Sequence, residues 1–294
     1  MIGGPVSYAN LYETPGPRGA RRNRVLAGVI ALVLLGLAYV TYVRFDAKEQ
    51  WAAGKWTPLL RPEVWTTFIL PGLAGTLAAA VAGVVLAGLF GLVFATARLS
   101  DHRWIRWPAS AVVEFFRAVP LLLLIFFAFF GSYVFTGANI SAFTAVVFGL
   151  TFYNGSVIAE IIRAGVLSLP RGQAEAAHAI GLRKGQVMRL VLLPQAFRAM
   201  MPAVISQFVV LLKDSALGLI VGYDELVDRG LNGIAANFSN VIPAAILIAA
   251  IFIGINLSLD RLAHWLSRPS GDRPRGRAAW PRTYRATTPP SSPP

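Results

Sequence analysis

The chain has no cysteine among its 294 residues, and charged residues make up only 14% of it. Without cysteine it can form neither a disulfide framework nor a thiolate metal site. Its histidines, His102, His178 and His264, are far apart, and the sequence contains no motif of a serine hydrolase, a zinc protease or a phosphate-binding glycine loop. A membrane-embedded enzyme is therefore disfavoured, and we expect no metal or other cofactor. Any ATP that drives its function would have to be bound by another subunit.

Long apolar runs dominate the sequence. Hydrophobic residues make up 55% of the chain, and its mean hydropathy is +0.59. Several runs exceed the roughly 18 residues needed to cross a bilayer. We predict an all-α polytopic membrane protein with about six transmembrane helices, at residues 25–43, 66–97, 111–135, 140–162, 202–221 and 241–262. The first run is too long for a signal peptide and no cleavage site follows it, so we expect a retained helix.

Basic residues lie in the tails and in alternate loops. The net charge of +13 raises the possibility of nucleic-acid binding, but no basic face with interleaved aromatic residues occurs, so we expect no nucleic-acid partner. Arginines recur before residue 25, after residue 97, within 163–198 and after residue 260, whereas 131–140 is uncharged and 222–240 is mainly acidic. The positive-inside rule therefore predicts that both termini and residues 171–195 are cytoplasmic.

Small residues recur at every fourth position of the second predicted span, namely Gly75, Ala79, Gly83, Ala87 and Gly91. Such a stripe lets a neighbouring backbone approach closely and predicts a packed bundle. The alternative explanation is that Gly and Ala are simply common in membrane helices. We find no internal repeat, which disfavours a transporter built from inverted halves.

One polar segment separates the apolar runs, RGQAEAAHAIGLRKGQVMRLVLLPQ at residues 171–195. Pro170 can begin a helix and Gly181 can end one, so we predict two short helices joined by a turn. Glu175 favours an early helical turn, and Ala176 and Ala177 leave a slim face that fits a groove on another protein. A solvated loop that only caps the bundle is the alternative.

This segment resembles the "EAA" loop in the membrane subunits of ATP-binding-cassette importers. That loop has EAA, three residues, G, nine residues, I, one residue and LP; here Val191 stands in place of Ile. The stretches GLAGTL at 72–77, EFFRAVPLLLLIFF at 114–127 and QFVVLLKDSALGLIVGYDEL at 207–226 resemble the polar-amino-acid subgroup. Two positions differ from this subgroup: Gln207 stands where Asn is common, and Ser215-Ala216 stands where Thr-Ser is common. These differences affect which contacts with the substrate can be carried over from the subgroup.

The resemblance implies a five-helix permease core with one added N-terminal helix in a bacterial plasma membrane. Its partners would be a cytoplasmic ATPase dimer, a second permease subunit, either a copy or a homologue, and an extracytoplasmic solute-binding protein. The substrate would be a polar amino acid, with glutamate favoured. We expect a cytoplasmic tail at 1–24, the added helix at 25–43, an external loop at 44–65, the permease domain at 66–268 with its coupling loop at 164–200, and a disordered cytoplasmic tail at 269–294.

The resemblance assigns coupling to the ATPase to Glu175, Ala176, Ala177, Gly181, Arg183, Val191 and Pro194. Candidate substrate-pathway residues are the polar side chains within the spans, Arg117, Asn154, Ser156, Glu160, Lys213, Asp214 and Ser215.

For each pathway candidate a structural role stays open. Lys213 and Asp214 either line the path of a zwitterionic solute or form ion pairs between helices. Glu160 and Arg163 share a helix face, which favours a brace to the loop over a pathway role. Asn154 and Ser156 can hydrogen-bond either solute or a neighbouring helix. An ion-coupled secondary transporter or channel, with Lys213 and Asp214 as its ion site, is the alternative function.

Overall fold

A computed structural model describes residues 16–266, with side chains described through Leu262. The helices are α1 (Pro17–Asp46), α2 (Ala53–Trp56), α3 (Pro62–Arg98), α4 (Arg103–Ala118), α5 (Leu121–Thr136), α6 (Ala142–Leu167), α7 (Arg171–Ala179), α8 (Lys184–Val221), α9 (a π-helical segment Leu226–Gly233 continued by Ile234–Phe238) and α10 (Val241–Leu266). The expected disordered tail at 269–294 and most of the expected tail at 1–24 lie outside the described residues.

Within the described part of the chain, five helices are long and apolar enough to cross a membrane: α1, α3, α6, α8 and α10. The pair α4 and α5 makes a sixth if it is counted as one span. The predicted class, an all-helical membrane protein with about six spans, is confirmed. The first helix, at 30 residues, is longer than the apolar run that predicted it.

The third predicted span, at 111–135, is not a single straight helix. The chain forms α4 and α5 instead, bent by 97° at a break between Ala118 and Leu121. The cause is Pro120, which has no N–H for the helical ladder and which disfavours the α conformation at Val119. Both residues adopt extended backbone angles, with ψ of 127° at Val119 and 136° at Pro120.

The second helix predicted within residues 171–195 is not short. It begins at Lys184 and continues as α8 for 38 residues to Val221, so that the predicted fifth span is its later part. Pro194 follows a π-helical turn at Val187–Leu192, and this wider turn absorbs the proline without ending the helix. The last two turns of α8, Ser215–Val221, tighten to a 3₁₀ helix.

The chain divides into two compact units, which are described separately. The first contains the residues up to Gly75 together with Asp224–Ala250. None of the described residues of α1 is buried, and its last turn contacts Trp51, whose ring centroid lies 5.8 Å from that of Tyr42. The rest of this unit packs the start of α3 against α9 through glycines: Gly233 faces the ring of Phe68, and Gly75 lies against the backbone of Asp224.

The second unit contains Thr76–Tyr223 and the chain from Ile251 onward. Its centre is α6, where Val146, Leu150 and Ile158 are at most 1% exposed. The small-residue stripe of α3 packs in this core, since a Cβ at Gly91 would lie 2.6 Å from a side-chain carbon of Ile158, and Ala87 is fully buried. The predicted close packing along this stripe is confirmed.

Gly75→Ala is expected to destabilise the protein. A Cβ at this position would collide with the carbonyl oxygen of Asp224, and relieving such a collision costs roughly 1–3 kcal/mol. Gly88→Ala, in the same helix, is the matched control because nothing lies within 4 Å of the added Cβ. There the substitution should be neutral or stabilising by about 0.5–1 kcal/mol. Thermal unfolding of both variants in one detergent measures the difference, and equal melting temperatures would contradict this account of the packing.

Candidate functional site

Helix α7 carries the EAA residues and ends in a Schellman motif. The Leu182 N–H donates to the Ala177 carbonyl at 3.2 Å, and the Gly181 N–H donates to the His178 carbonyl at 2.9 Å. This motif requires a left-handed residue, and Gly181 has φ +84°. The predicted end of the first helix at Gly181 is therefore confirmed, and the backbone hydrogen bonds give the turn a defined shape.

The side chains of α7 point in two directions. Ala177 is buried, whereas Glu175 and Ala176 are exposed, so the two alanines do not form a single slim face. Glu175 lies in the second turn of α7, whose first turn has no acidic residue, so the expected early-turn stabilisation does not apply. The exposed surface of α7 therefore centres on Glu175 and Ala176, with Ile180 78% exposed beside Gly181.

The start of α8 holds α7 in place. Helix α7 lies against the π-helical turn Val187–Leu192, and the Gln195 side chain donates to that of Gln173 at 3.3 Å. The Arg183 N–H donates to the Gln186 side chain at 2.9 Å, which caps the new helix. Of the remaining predicted coupling residues, Val191 is half-buried, while Arg183 and Pro194 are exposed.

An ion pair joins this region to the connection between α3 and α4. Lys184 pairs with Asp101, and the Lys184 ammonium lowers the pKa of the Asp101 carboxyl below its ordinary value. Because a depressed pKa keeps the carboxylate charged in the folded state, the pair is present at neutral pH and is lost only when the pH falls through that lowered pKa. Both side chains are largely exposed, so its contribution to stability is small.

Glu160 is the centre of a charge cluster. Its carboxylate accepts hydrogen bonds at 2.7 Å from both Arg98 and Arg163 and lies 3.6 Å from Arg117, and Arg98 also lies 3.7 Å from Glu114. Glu160 and Arg163, which share a helix face, form an ion pair. The cluster braces α6 to α3 and α4, however, and not to the loop as expected. Three arginines against two glutamates leave one positive charge in excess.

Arg98 is the member of this cluster that the sequence did not identify. Its side chain is only 7% exposed. In the sequence it stands at the end of an apolar run, where an arginine ordinarily marks the cytoplasmic end of a span. Its partner Glu160 is 62 residues away in sequence, so no local spacing joins the two. The sequence feature that points to such a partner is Glu160, because a carboxylate near the end of an apolar helix requires a cationic side chain beside it.

A second polar contact joins α6 to α8. Asn154 is fully buried, and its side-chain oxygen accepts a hydrogen bond from Gln207 at 2.7 Å. Its amide nitrogen, which is close to Asp214, forms no hydrogen bond within the described residues. Ser156 is also fully buried, and its hydroxyl makes no hydrogen bond to the part of the chain that the structure describes. Ser215 donates to the Leu212 carbonyl within α8.

One exposed side of α8 has short side chains and carries a charged residue near its end; it is called the small polar side below. Lys213 is exposed at the end of the α-helical part, Asp214 beside it is half-buried, and among the described residues neither forms an ion pair. The exposed residues on the same side of the helix are short, Ala199, Pro202, Ala203, Ser206 and Val210. A charged side chain in such a position has to face water or another protein, because lipid would leave it unsolvated.

Comparison with known proteins places these features in a family context. The family model described as "binding-protein-dependent transport system inner membrane component" matches residues 87–269. The glutamate transport system permease protein GluD of Corynebacterium glutamicum is 49% identical over 218 residues, covering 74% of this chain and 80% of the relative. The probable glutamine ABC transporter permease protein GlnP of Bacillus subtilis is 34% identical over 201 residues, covering 68% and 92%.

Solved structures share the fold. One chain of an amino acid ABC transporter crystallised with histidines aligns with a TM-score of 0.63 at 34% identity, covering 67% of this chain and 91% of that chain. A chain of the inward-facing MetNI methionine ABC transporter aligns with a TM-score of 0.54 at 24% identity, covering 70% and 98%. At that lower identity only the fold is shared.

Glu160→Gln is expected to lower the stability of the protein strongly. It would remove the carboxylate charge that pairs with the buried Arg98 guanidinium at 2.7 Å, and breaking a buried ion pair costs about 3 kcal/mol or more. Glu114→Gln is the control, because Glu114 is 68% exposed and lies at the longer distance of 3.7 Å from Arg98, so that water screens the contact and it contributes at most about 1 kcal/mol. Thermal unfolding in detergent compares the two variants. Similar melting temperatures would show that the cluster does not stabilise the helix ends.

Proposed function

The chain belongs to the family of binding-protein-dependent transport system inner membrane components, as a polar-amino-acid permease of an ATP-binding-cassette importer, and on this premise we propose that it carries glutamate and couples to its ATPase through α7. It is a multi-pass inner-membrane protein and a non-catalytic subunit. Importers of this kind act together with ATPase subunits and a binding protein. Family membership argues against the ion-coupled alternative.

The observation that carries the coupling proposal is the continuity of α8. The Schellman turn at Gly181 leads directly into this helix, which runs without a break to Lys213 and Asp214 about 30 residues, or roughly 45 Å, further on. A shift of α7 imposed from outside is transmitted along one continuous helix, since α7 packs on the first turns of α8. The remaining coupling residues support this arrangement: Ala177 anchors α7, while Glu175 and Ala176 stay free to contact the ATPase.

The orientation follows from charge. We place α7 and both termini in the cytoplasm, because the arginine-rich connections lie on that side under the positive-inside rule. The ATPase, acting as a dimer, then binds α7 at the cytoplasmic side of the membrane. The solute-binding protein delivers substrate at the opposite side. A second permease subunit, a copy or a homologue, faces the small polar side of α8 across the transport path.

Glu175→Lys should uncouple ATP hydrolysis from uptake. The side chain is exposed on α7, so reversing its charge disturbs docking to the ATPase without disturbing the fold. We expect the complex to assemble in the membrane and hydrolyse ATP while uptake of radiolabelled glutamate into proteoliposomes falls about tenfold, equivalent to about 1.4 kcal/mol of lost coupling.

The matched control is Glu63→Lys, an equally exposed carboxylate at the start of α3, which should transport normally. If Glu175→Lys also transports at the normal rate, α7 only caps the bundle and the coupling assignment is wrong.

Cationic side chains suit the proposed path to an acidic amino acid. Lys213 is exposed on the small polar side of α8, and the Glu160 cluster in the same unit carries one positive charge in excess. Glutamate has a net negative charge, so both features favour its passage over that of a basic amino acid. The 49% identity to a glutamate permease supports the same choice. Asp214, with Asn154 and Ser215 beside it, is suited to the substrate ammonium group.

Lys213→Gln tests this path. Loss of a charged contact with a substrate carboxylate should reduce the uptake rate at limiting glutamate about tenfold or more. Glutamate binding to the solute-binding protein should not change. Lys48→Gln, an exposed lysine just after α1, serves as the control. Unchanged kinetics in Lys213→Gln, together with unchanged kinetics in Asp214→Asn, would remove both residues from the path.

A further inference from the structure

An apolar groove lies on the side of α8 away from its small polar face. It has a volume of about 480 Å³ and lies between α3, α8 and α10. Its walls include Leu77 and Val81 from α3, Met201 and Phe208 from α8, and Ile255 and Leu259 from α10. All of its lining residues are apolar, so the groove offers nothing that would hold water or a polar solute.

The two exposed sides of α8 differ in character. The small polar side carries Ala203, Ser206 and Lys213, which suits water or another protein. The rim of the groove instead exposes large aliphatic side chains, with Val81 63% and Leu262 50% exposed. Aliphatic residues are what a helix presents to lipid tails, so the groove opens toward the membrane and not toward the proposed path.

The groove is long enough to hold a lipid acyl chain. It continues into a second apolar groove of about 490 Å³ that shares Met201 and Phe208 and reaches Leu193. From Leu193 to Leu212 the two grooves follow 19 residues of α8, or roughly 28 Å, which is close to the thickness of a bilayer's hydrocarbon core.

A cationic side chain stands at one end of the groove. Arg198 lies four residues after Pro194 and three before Met201, so it shares their side of the helix. It is one turn beyond Met201, where the first groove ends, and beside the second groove. It is exposed, and within the described residues it forms no ion pair. The arginine lies toward the α7 end of α8, the end that the proposed topology places at the cytoplasmic leaflet, where anionic headgroups attract basic residues.

We propose that this groove is a binding site for one anionic phospholipid, with an acyl chain along Met201 and Phe208 and the phosphate on Arg198. The apolar walls account for affinity toward any lipid, and Arg198 accounts for preference for a negatively charged headgroup. A helix of a second permease subunit is the competing occupant. It is disfavoured because a helix–helix contact in a membrane uses small residues, and those lie on the other side of α8.

Native mass spectrometry of the assembled transporter, titrated with phosphatidylglycerol or with phosphatidylcholine, tests the site. We expect one tightly held phosphatidylglycerol per permease. In Arg198→Gln its preference over phosphatidylcholine should fall about fivefold, as for removal of one arginine near an anionic surface. Arg103→Gln, an exposed arginine at the start of α4 outside the groove, should change nothing. Equal binding of the two lipids, or equal effects of the two substitutions, would overturn the proposal.

Two further variants separate the lipid from a protein occupant. Val84→Phe fills the groove and should lower phosphatidylglycerol binding even with Arg198 intact. Because the chain has no cysteine, Val81→Cys introduces a single thiol at the rim. If oxidation in the membrane joins two chains through that thiol, a second copy covers the groove and the lipid assignment fails. Persistence of the monomer under oxidation, with loss of lipid in Val84→Phe, supports it.

Discussion

A hydrocarbon layer offers no hydrogen-bond partner, and the architecture of this permease depends on that constraint. Backbone groups are satisfied inside helices, and the few charged side chains within the spans have to find partners or reach water. Glu160 meets the requirement with Arg98 and Arg163, and Asn154 does so in part with Gln207. Lys213 is exposed and forms no ion pair with the described residues, so its side of α8 has to face water or another protein and not lipid. Polar residues thus set which helix surfaces are internal, which face lipid and which face water or another protein.

The sequence predicted those features that depend on composition and on local spacing. Apolar runs identified the spans, a four-residue period of small residues identified the packed side of α3, and Gly181 identified the end of α7. Each of these signals rests on a property of neighbouring residues. The partner of Arg98 could not be identified in the same way, because a contact between residues 62 positions apart depends on how α3 and α6 are placed in space.

The prolines were harder to interpret because the same residue has opposite effects in two places. Pro120 breaks the predicted third span with a 97° bend, whereas Pro194 lies inside a helix that continues to Val221. The backbone before these two prolines differs, and Pro202 also lies inside α8 without ending it. A π-helical turn before Pro194 gives the ring the space that it needs, while the residue before Pro120 adopts an extended conformation. Sequence spacing alone does not distinguish these outcomes, so the sequence predicts neither the full length of α8 nor the bend within the third span.

The buried ion pair between Arg98 and Glu160 also imposes an order on biogenesis. At a synthesis rate of about 5–20 residues per second, Glu160 follows Arg98 by roughly 3–12 seconds, given their separation of 62 residues. During that interval the guanidinium has no carboxylate from α6 and has to remain in the hydrated headgroup region. The end of α3 therefore settles into the bundle only after α6 has been made, so this helix enters the membrane early and completes its packing late.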